Sequence, residues 1–360
     1  MPQQRAPRPR PPRRTPQERA RDLQRRRRRA VAALALIVLA LIAIVYSAFA
    51  GGSKTRAVVD ADGHTHPAPV HHRPPRSFGA GVTTRHFVDT SRSVTIDGQA
   101  QARPLETVIY YPTLGGPQDE VVAGAAPART GGPFPLIVFG HGFEKLPQTY
   151  QPLLERWARA GYVVAAPVFP LENEDAPGGP NESDLPNEPQ DISFVMTQMI
   201  EESEHGTGPL AHLIDPREIA VSGQSDGGDA ALAAAYDPKL RDSRIDAAAI
   251  LSGAMIPMLG PFTFPSSGPA LLAVQGTADP INKPQETYAY YDVAPRPKYL
   301  LRLNGASHLP PYTEEGPQLD LVARVTTAFF NAYLKDDQQA LRELQSIGNL
   351  GAIGSLLAEP

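Results

Sequence analysis

The chain holds 360 residues, with 34 Lys and Arg against 38 Asp and Glu and no cysteine, which excludes disulfides, thiolate metal sites and a cysteine nucleophile. Charge is unevenly spread: residues 1–29 carry twelve Arg, one Glu and one Asp, and the rest holds 22 basic against 36 acidic side chains. That acidic balance argues against nucleic acid or an anionic membrane surface as partner of the main domain.

Residues 1–29 have almost no apolar content and are expected to be a basic, disordered leader. Ala30 to Tyr46 is seventeen residues without a polar side chain, followed by Ser47-Ala48-Phe49-Ala50. A run of about 20 such residues is long enough to cross a hydrocarbon layer as a helix. The block Arg25–Arg29 before it places the N-terminus in the cytoplasm and everything after Gly51 outside. Residues 30–50 are thus expected to be a transmembrane anchor, with release after Ala50 at the small-residue Ala48-Phe49-Ala50 as the alternative. Residues 51–77, rich in Pro and Gly, read as a flexible linker; His64, His66, His71 and His72 within it are read as part of a solvated tether rather than a metal tract.

From residue 78 to 335 strands alternate with amphipathic helices. Gly81–Asp89 and Glu106–Tyr111 are predicted strands with the turn signal Asp97-Gly98 between them. Pro135–Phe139, Val163–Val168, Ile219–Ser222, Ala247–Leu251, Ala270–Val274 and Tyr299–Leu303 are short apolar runs suited to strands buried on both faces. Helices are predicted from Tyr150 to Ala160, around Ile192, Val195, Met196, Met199 and Ile200, from Asp229 to Tyr236, and from about Gln318 to Leu334. The expected fold class is α/β: a mostly parallel sheet of about eight strands, helices on both faces, and no large lid. Residues 336–360 read as a helix and a small tail.

Gly223-Gln224-Ser225-Asp226-Gly227 stands at a predicted strand-to-helix junction, the setting of a nucleophile elbow. The pentapeptide alone is a cheap pattern, so its partners must decide. A serine hydroxyl needs a base to take its proton, and the base needs a third group to fix its tautomer and stabilise its cation. Asp279, in Gly276-Thr277-Ala278-Asp279-Pro280, and His308, in Asn304-Gly305-Ala306-Ser307-His308, each follow a late predicted strand. Ser225, Asp279 and His308 therefore form the candidate triad, in the chain order Ser, Asp, His. Asp246 precedes its strand, at the wrong end of the sheet, and His205 and His212 precede the elbow strand. The oxyanion donors are expected to be the amides of Asp226 and Phe143, with Gly142 as fallback, and His141 is read as a packing residue of that loop. The Asp226 carboxyl is expected to disfavour anionic substrates or to cap its helix. Rim segments are expected at residues 170–190 and 254–268, the second with Met255, Met258, Leu259, Phe262 and Phe264. Glu172, Glu174, Asp175, Glu182 and Asp184 are read as a solvated loop in preference to a Ca²⁺ site.

On Phe139-Gly140-His141-Gly142-Phe143, the elbow with Gly228, Gly276–Asp279 and Gly305–His308, the chain resembles bacterial serine esterases of the α/β-hydrolase superfamily, most nearly the chlorophyllase, platelet-activating-factor acetylhydrolase and cutinase-like polyester hydrolase branch. Gly81–Asp89 and Tyr110-Tyr111-Pro112 are similar to that branch's first hairpin, and the resemblance spans residues 78–335. It implies ester hydrolysis through an acyl-enzyme at Ser225, Asp279 and His308, with no cofactor and no metal, on a small-molecule or lipid-like ester. Gln224 stands where relatives often have His, and Asp226 where they often have an apolar residue or Arg. An acyltransferase or peptidase on the same triad, or a catalytically silent tethered binding protein, are the competing expectations.

Overall fold

A computed structural model describes residues 77–116 and 120–360, together with the backbone of a two-residue antiparallel pair, Val58–Val59 with Thr65–His66. The chain divides into two units, Met1–His71 and His72–Pro360. The expected leader 1–29, the apolar run 30–50 and most of the linker 51–77 lie outside the described residues. Among the described residues, no helix is long and apolar enough to cross a membrane.

The second unit begins with a long hairpin, β1 (Gly79–Ile96) and β2 (Gln99–Thr113). Asp97 and Gly98 close it with φ of 52° and 74°, the positive values that a two-residue hairpin turn of the primed type requires. The chain continues through β3 (Val122–Ala123), β4 (Phe134–Gly140), α1 (Gln151–Arg159), β5 (Val163–Pro167), α2 (Glu188–His205), β6 (Ile214–Gln224) and α3 (Asp226–Tyr236). It ends with β7 (Ala247–Leu251), β8 (Ala270–Gly276), α4 (Pro284–Val293), β9 (Lys298–Leu303), the one-turn α5 (Pro310–Thr313), α6 (Pro317–Leu334), α7 (Gln338–Gly348) and β10 (Gly354–Glu359).

These strands form one ten-stranded sheet in the order β10-β9-β8-β7-β6-β4-β5-β2-β1-β3. The six from β9 to β5 are parallel, with β2 antiparallel against β5 and β10 antiparallel against β9. Two strands exceed the eight expected. β3 is two residues long, too short for any periodicity to mark, and β10 occupies the stretch expected to be a tail. Leu356 of β10 is buried, and α7 buries Leu344 beside it in the same core layer.

The parallel strands read as continuous apolar runs because both of their faces are covered. In β4, Ile137 and Phe139 point to a layer built with Trp157, Phe329 and Phe330 of α1 and α6. Leu136 and Val138 point to the opposite layer, with Met196, Met199, Tyr236 and Tyr290 of α2, α3 and α4. Two polar groups of the first layer are paired: the indole of Trp157 donates to Thr326 Oγ1 at 2.8 Å, and Tyr162 Oη donates to Asn331 Oδ1 at 2.6 Å.

The segment 170–190, expected to be solvated, is clamped to the hairpin instead. Arg103 of β2 is 1% exposed and donates to both carboxyl oxygens of Asp191 at 2.7 and 2.6 Å and to both of Asp184 at 3.0 and 2.7 Å. A register shift in β1 between Asp89 and Ser93 brings Arg92 to the same place, where it donates to Asp191 and Asp89 at 2.6 Å each and to the Asn187 carbonyl at 3.1 Å. Asp184 and Asn187 thereby tie the segment to the hairpin.

Candidate active site

β6 runs into Gln224, and α3 starts at Asp226, so the whole reversal of direction falls on Ser225. Ser225 has φ 55° and ψ −127°, a region costly to any residue but glycine by about 1–3 kcal/mol. The turn is possible because its flanks have no side chains: a Cβ on Gly223 would run into the carbonyl of Gly227, and one on Gly227 into the carbonyl of Gly140. The Ser225 amide donates to the Leu251 carbonyl at 3.0 Å, and its own carbonyl accepts from Asp229 at 2.9 Å, which ties the turn to β7 and α3.

β8 and β9 deliver the other two residues at the same edge of the sheet. His308 Nε2 lies 3.0 Å from Ser225 Oγ, and His308 Nδ1 lies 2.8 Å from Asp279 Oδ2. The structure thus brings together Ser225, His308 and Asp279, of which Ser225 is 7% and Asp279 4% exposed. Burial works to raise the Asp279 carboxyl, but hydrogen bonding and charge from His308, the Ile281 amide and Gln275 outweigh it and hold the group below the usual carboxylate range. Its Oδ1 accepts from the amides of Ile281 and Asn282 at 2.9 and 3.1 Å, and Gln275 Nε2 reaches Oδ2 at 3.2 Å. Gln275 is itself fixed by Thr287, whose hydroxyl donates to Oε1 at 2.6 Å. Its only sequence signal was a polar residue at the end of an apolar strand.

The amide of Asp226 is at the first position of α3, where helix geometry leaves N–H groups without intrahelical partners. Of the two candidates in the loop after β4, the Gly142 amide is already spent on Tyr150 Oη at 3.1 Å. Phe143 is the remaining candidate of the two. His141 is fully buried and bonded at both ring nitrogens: Nδ1 to the Gly142 carbonyl at 2.9 Å and Nε2 from the Phe169 amide at 3.0 Å. Burial lowers it to about 4, so it stays neutral and shapes the loop. Asp246 accepts from the Ile219 amide at 3.3 Å, midway along β6 and away from the elbow.

The carboxyl of Asp226 does not cap α3, and one of its oxygens, buried, accepts no hydrogen bond. The same holds for one oxygen of Asp229, and the oxygens of Glu172 and Glu188 find no hydrogen-bond partner outside their own pair. Burial and then the charges of Asp226, Asp184 and Glu182 push Glu172 up to about 8, against a hydrogen bond with Glu188 that pulls it down. Burial and the neighbouring Glu172 push Glu188 up as well. Burial and Glu182 raise Asp226 to about 6, with His308 acting the other way. Among the described residues no group of three or more His, Asp or Glu is placed to hold a metal ion, and Glu172 and Glu188 face one another as a pair that retains a proton. Groups raised in the folded state above their usual values near 4 keep protons that the unfolded chain releases. Their stabilising contribution is present at low pH and lost as pH rises from about 4.5 through about 8. The urea midpoint is therefore expected to be higher at pH 5 than at pH 8, and the difference is expected to shrink in Glu172→Gln/Glu188→Gln; equal slopes in the two proteins would remove this account of the pair.

In the rim after β7, Met255, Leu259, Phe262 and Phe264 pack on the core, with Phe264 5.0 Å from Tyr236 and 5.4 Å from Phe262 between ring centres, whereas Met258 is exposed.

No protein-family model and no curated protein matches the chain. Among solved structures it is similar to a ferulic acid esterase from Streptomyces cinnamoneus, with 24% identity and a TM-score of 0.56, over 73% of this chain and 93% of that one. The fold is that of the α/β-hydrolases. Within the α/β-hydrolase fold, strand-end loops converge where Ser225, Asp279 and His308 meet, and the hairpin β1–β2 and strand β10 extend the sheet at its two edges.

Proposed function

We propose that this chain is a carboxylic ester hydrolase that works through an acyl-enzyme on Ser225. The observation that carries this reading is the unbroken line Ser225 Oγ–His308 Nε2–Asp279, with spacings of 3.0 and 2.8 Å, set on a strained elbow. His308 takes the Ser225 proton as Oγ attacks the ester carbonyl, and the resulting imidazolium is stabilised by the Asp279 carboxylate. The amides of Phe143 and Asp226 receive the oxyanion, an arrangement in which each donor is worth about 10²–10³ in rate. His308 then hands its proton to the departing alcohol, and a water activated by the same ring releases the acid. Nothing in this scheme calls for a metal or cofactor.

The activity named for the structural neighbour favours ester hydrolysis over acyl transfer or peptide cleavage on the same residues. The Asp226 carboxyl beside Ser225, raised to about 6 and so charged at higher pH, favours neutral substrates and repels the carboxylate product. The apolar run 30–50 after its Arg block further supports an enzyme tethered to the cell membrane, its catalytic domain outside, with release near Ala50 as the alternative. The test is covalent labelling of the full chain by a fluorophosphonate, with Ser225→Ala as control.

A further inference from the structure

Gln224 precedes the nucleophile and is 1% exposed. Its side chain lies between two parts of the site that the chain brings from far apart. On one side the Tyr150 hydroxyl donates to Gln224 Oε1 at 2.7 Å, and that same hydroxyl accepts from the Gly142 amide at 3.1 Å. On the other side Gln224 Nε2 lies 3.1 Å from His308 Nε2 and donates to the His308 carbonyl at 3.2 Å. The packing is close as well: a Cβ on Gly142 would fall 2.8 Å from Gln224 Oε1.

The directions of these bonds follow from their chemistry. An amide N–H can only donate, so Tyr150 Oη accepts from Gly142 and sends its single proton to Gln224 Oε1. That fixes the Gln224 amide with its NH₂ toward His308. An NH₂ facing His308 Nε2 requires a lone pair there, and the ring proton then sits on Nδ1, toward Asp279. This is the tautomer in which Nε2 can accept the Ser225 proton.

We propose that Gln224, held by Tyr150, is a positioning residue that sets the place and tautomer of His308 and joins it to the loop bearing the oxyanion amide of Phe143. The inference rests on the hydrolase reading of the site. Gln224 spends its hydrogen bonds on protein groups and touches no bulk solvent, so its loss falls on the arrangement of the reacting groups and not on substrate capture. Displacement of a catalytic group by about 1 Å costs on the order of 100-fold in rate.

The experiment uses Gln224→Met, close in volume but without donor or acceptor, together with Tyr150→Phe and the double variant in the full chain. Expected for Gln224→Met is a 10–100-fold loss in kcat for p-nitrophenyl acetate with KM within about twofold. Tyr150→Phe should lose less, and the double variant should match Gln224→Met, because both substitutions cut one chain of bonds. The ¹⁵N resonance of His308 Nε2 in the neutral ring should move in Gln224→Met and in Tyr150→Phe, a reading that needs no substrate. Wild-type kcat in Gln224→Met, additive losses in the double variant, or an unmoved Nε2 resonance would overturn the proposal. Should Gln224→Met fail to fold, Tyr150→Phe decides by the same resonance. Ser225-dependent fluorophosphonate labelling in wild-type chain reports on the hydrolase reading separately, so the two failures are distinguishable.

Discussion

Asp279→Asn is expected to lower kcat for p-nitrophenyl esters by about 10⁴-fold while the protein stays folded. The size follows from where the two carboxyl oxygens point. Oδ1 accepts from two backbone amides, Ile281 and Asn282, neither of which can reverse its role. An asparagine must therefore keep its carbonyl oxygen there and turn its NH₂ toward His308 Nδ1, which lay 2.8 Å from the carboxylate. A donor in that place drives the ring proton to Nε2, where it faces Ser225 and the NH₂ of Gln224. The base then has no lone pair for the serine proton, and the donor–donor contact with Gln224 adds to the disorder. Steady-state kinetics across pH, with unfolding curves to show an intact domain, measure the effect. A variant within tenfold of wild type would contradict the role assigned to Asp279.

Arg103→Met is expected to destabilise the domain by about 3–5 kcal/mol, the usual cost of removing one member of a buried ion pair. Methionine fills much of the volume but leaves the carboxylates of Asp184 and Asp191 facing each other, with Arg92 the single cation on Asp191. Both carboxylates are almost fully buried, with side-chain exposure of 4% and 0%. Since the same guanidinium fixes the rim segment 170–190, ester turnover should fall as well, at temperatures where the domain remains folded. Urea unfolding at pH 7 measures the first effect, and a loss below about 1 kcal/mol would show that the pairs are replaceable by solvent.

Much of this architecture is written locally in the chain. The elbow is legible because a strained serine needs bare neighbours on both sides, and Gly223 and Gly227 supply them within five residues. Asp279 and His308 are legible because each stands directly after an apolar run that can only be a buried strand. The Asp97-Gly98 turn announces its hairpin for the same kind of reason. What escapes a linear reading is pairing at a distance. Arg103 and Asp191 are 88 positions apart, and nothing near either residue marks it as the partner of the other. The acidic segment 170–190 looks solvated for that reason, since a run of Glu and Asp carries no sign of a buried arginine on β2. Gln224 could be seen as an unusual residue, but its bond to Tyr150 depends on the turn before α1 reaching the elbow from 74 positions away. β10 escaped because six residues after a Gly-rich turn give too short a pattern to separate an edge strand from a tail.

The central claim is that Ser225 is a nucleophile activated by its setting, and the most direct measurement is the intact mass of the full chain after reaction with a fluorophosphonate, followed by peptide mapping. The account predicts one phosphonyl group per chain, on the peptide containing Ser225, with loss of fluoride and of esterase activity in parallel, and no adduct in Ser225→Ala. An unlabelled wild-type chain, or equal labelling of Ser225→Ala, would contradict it.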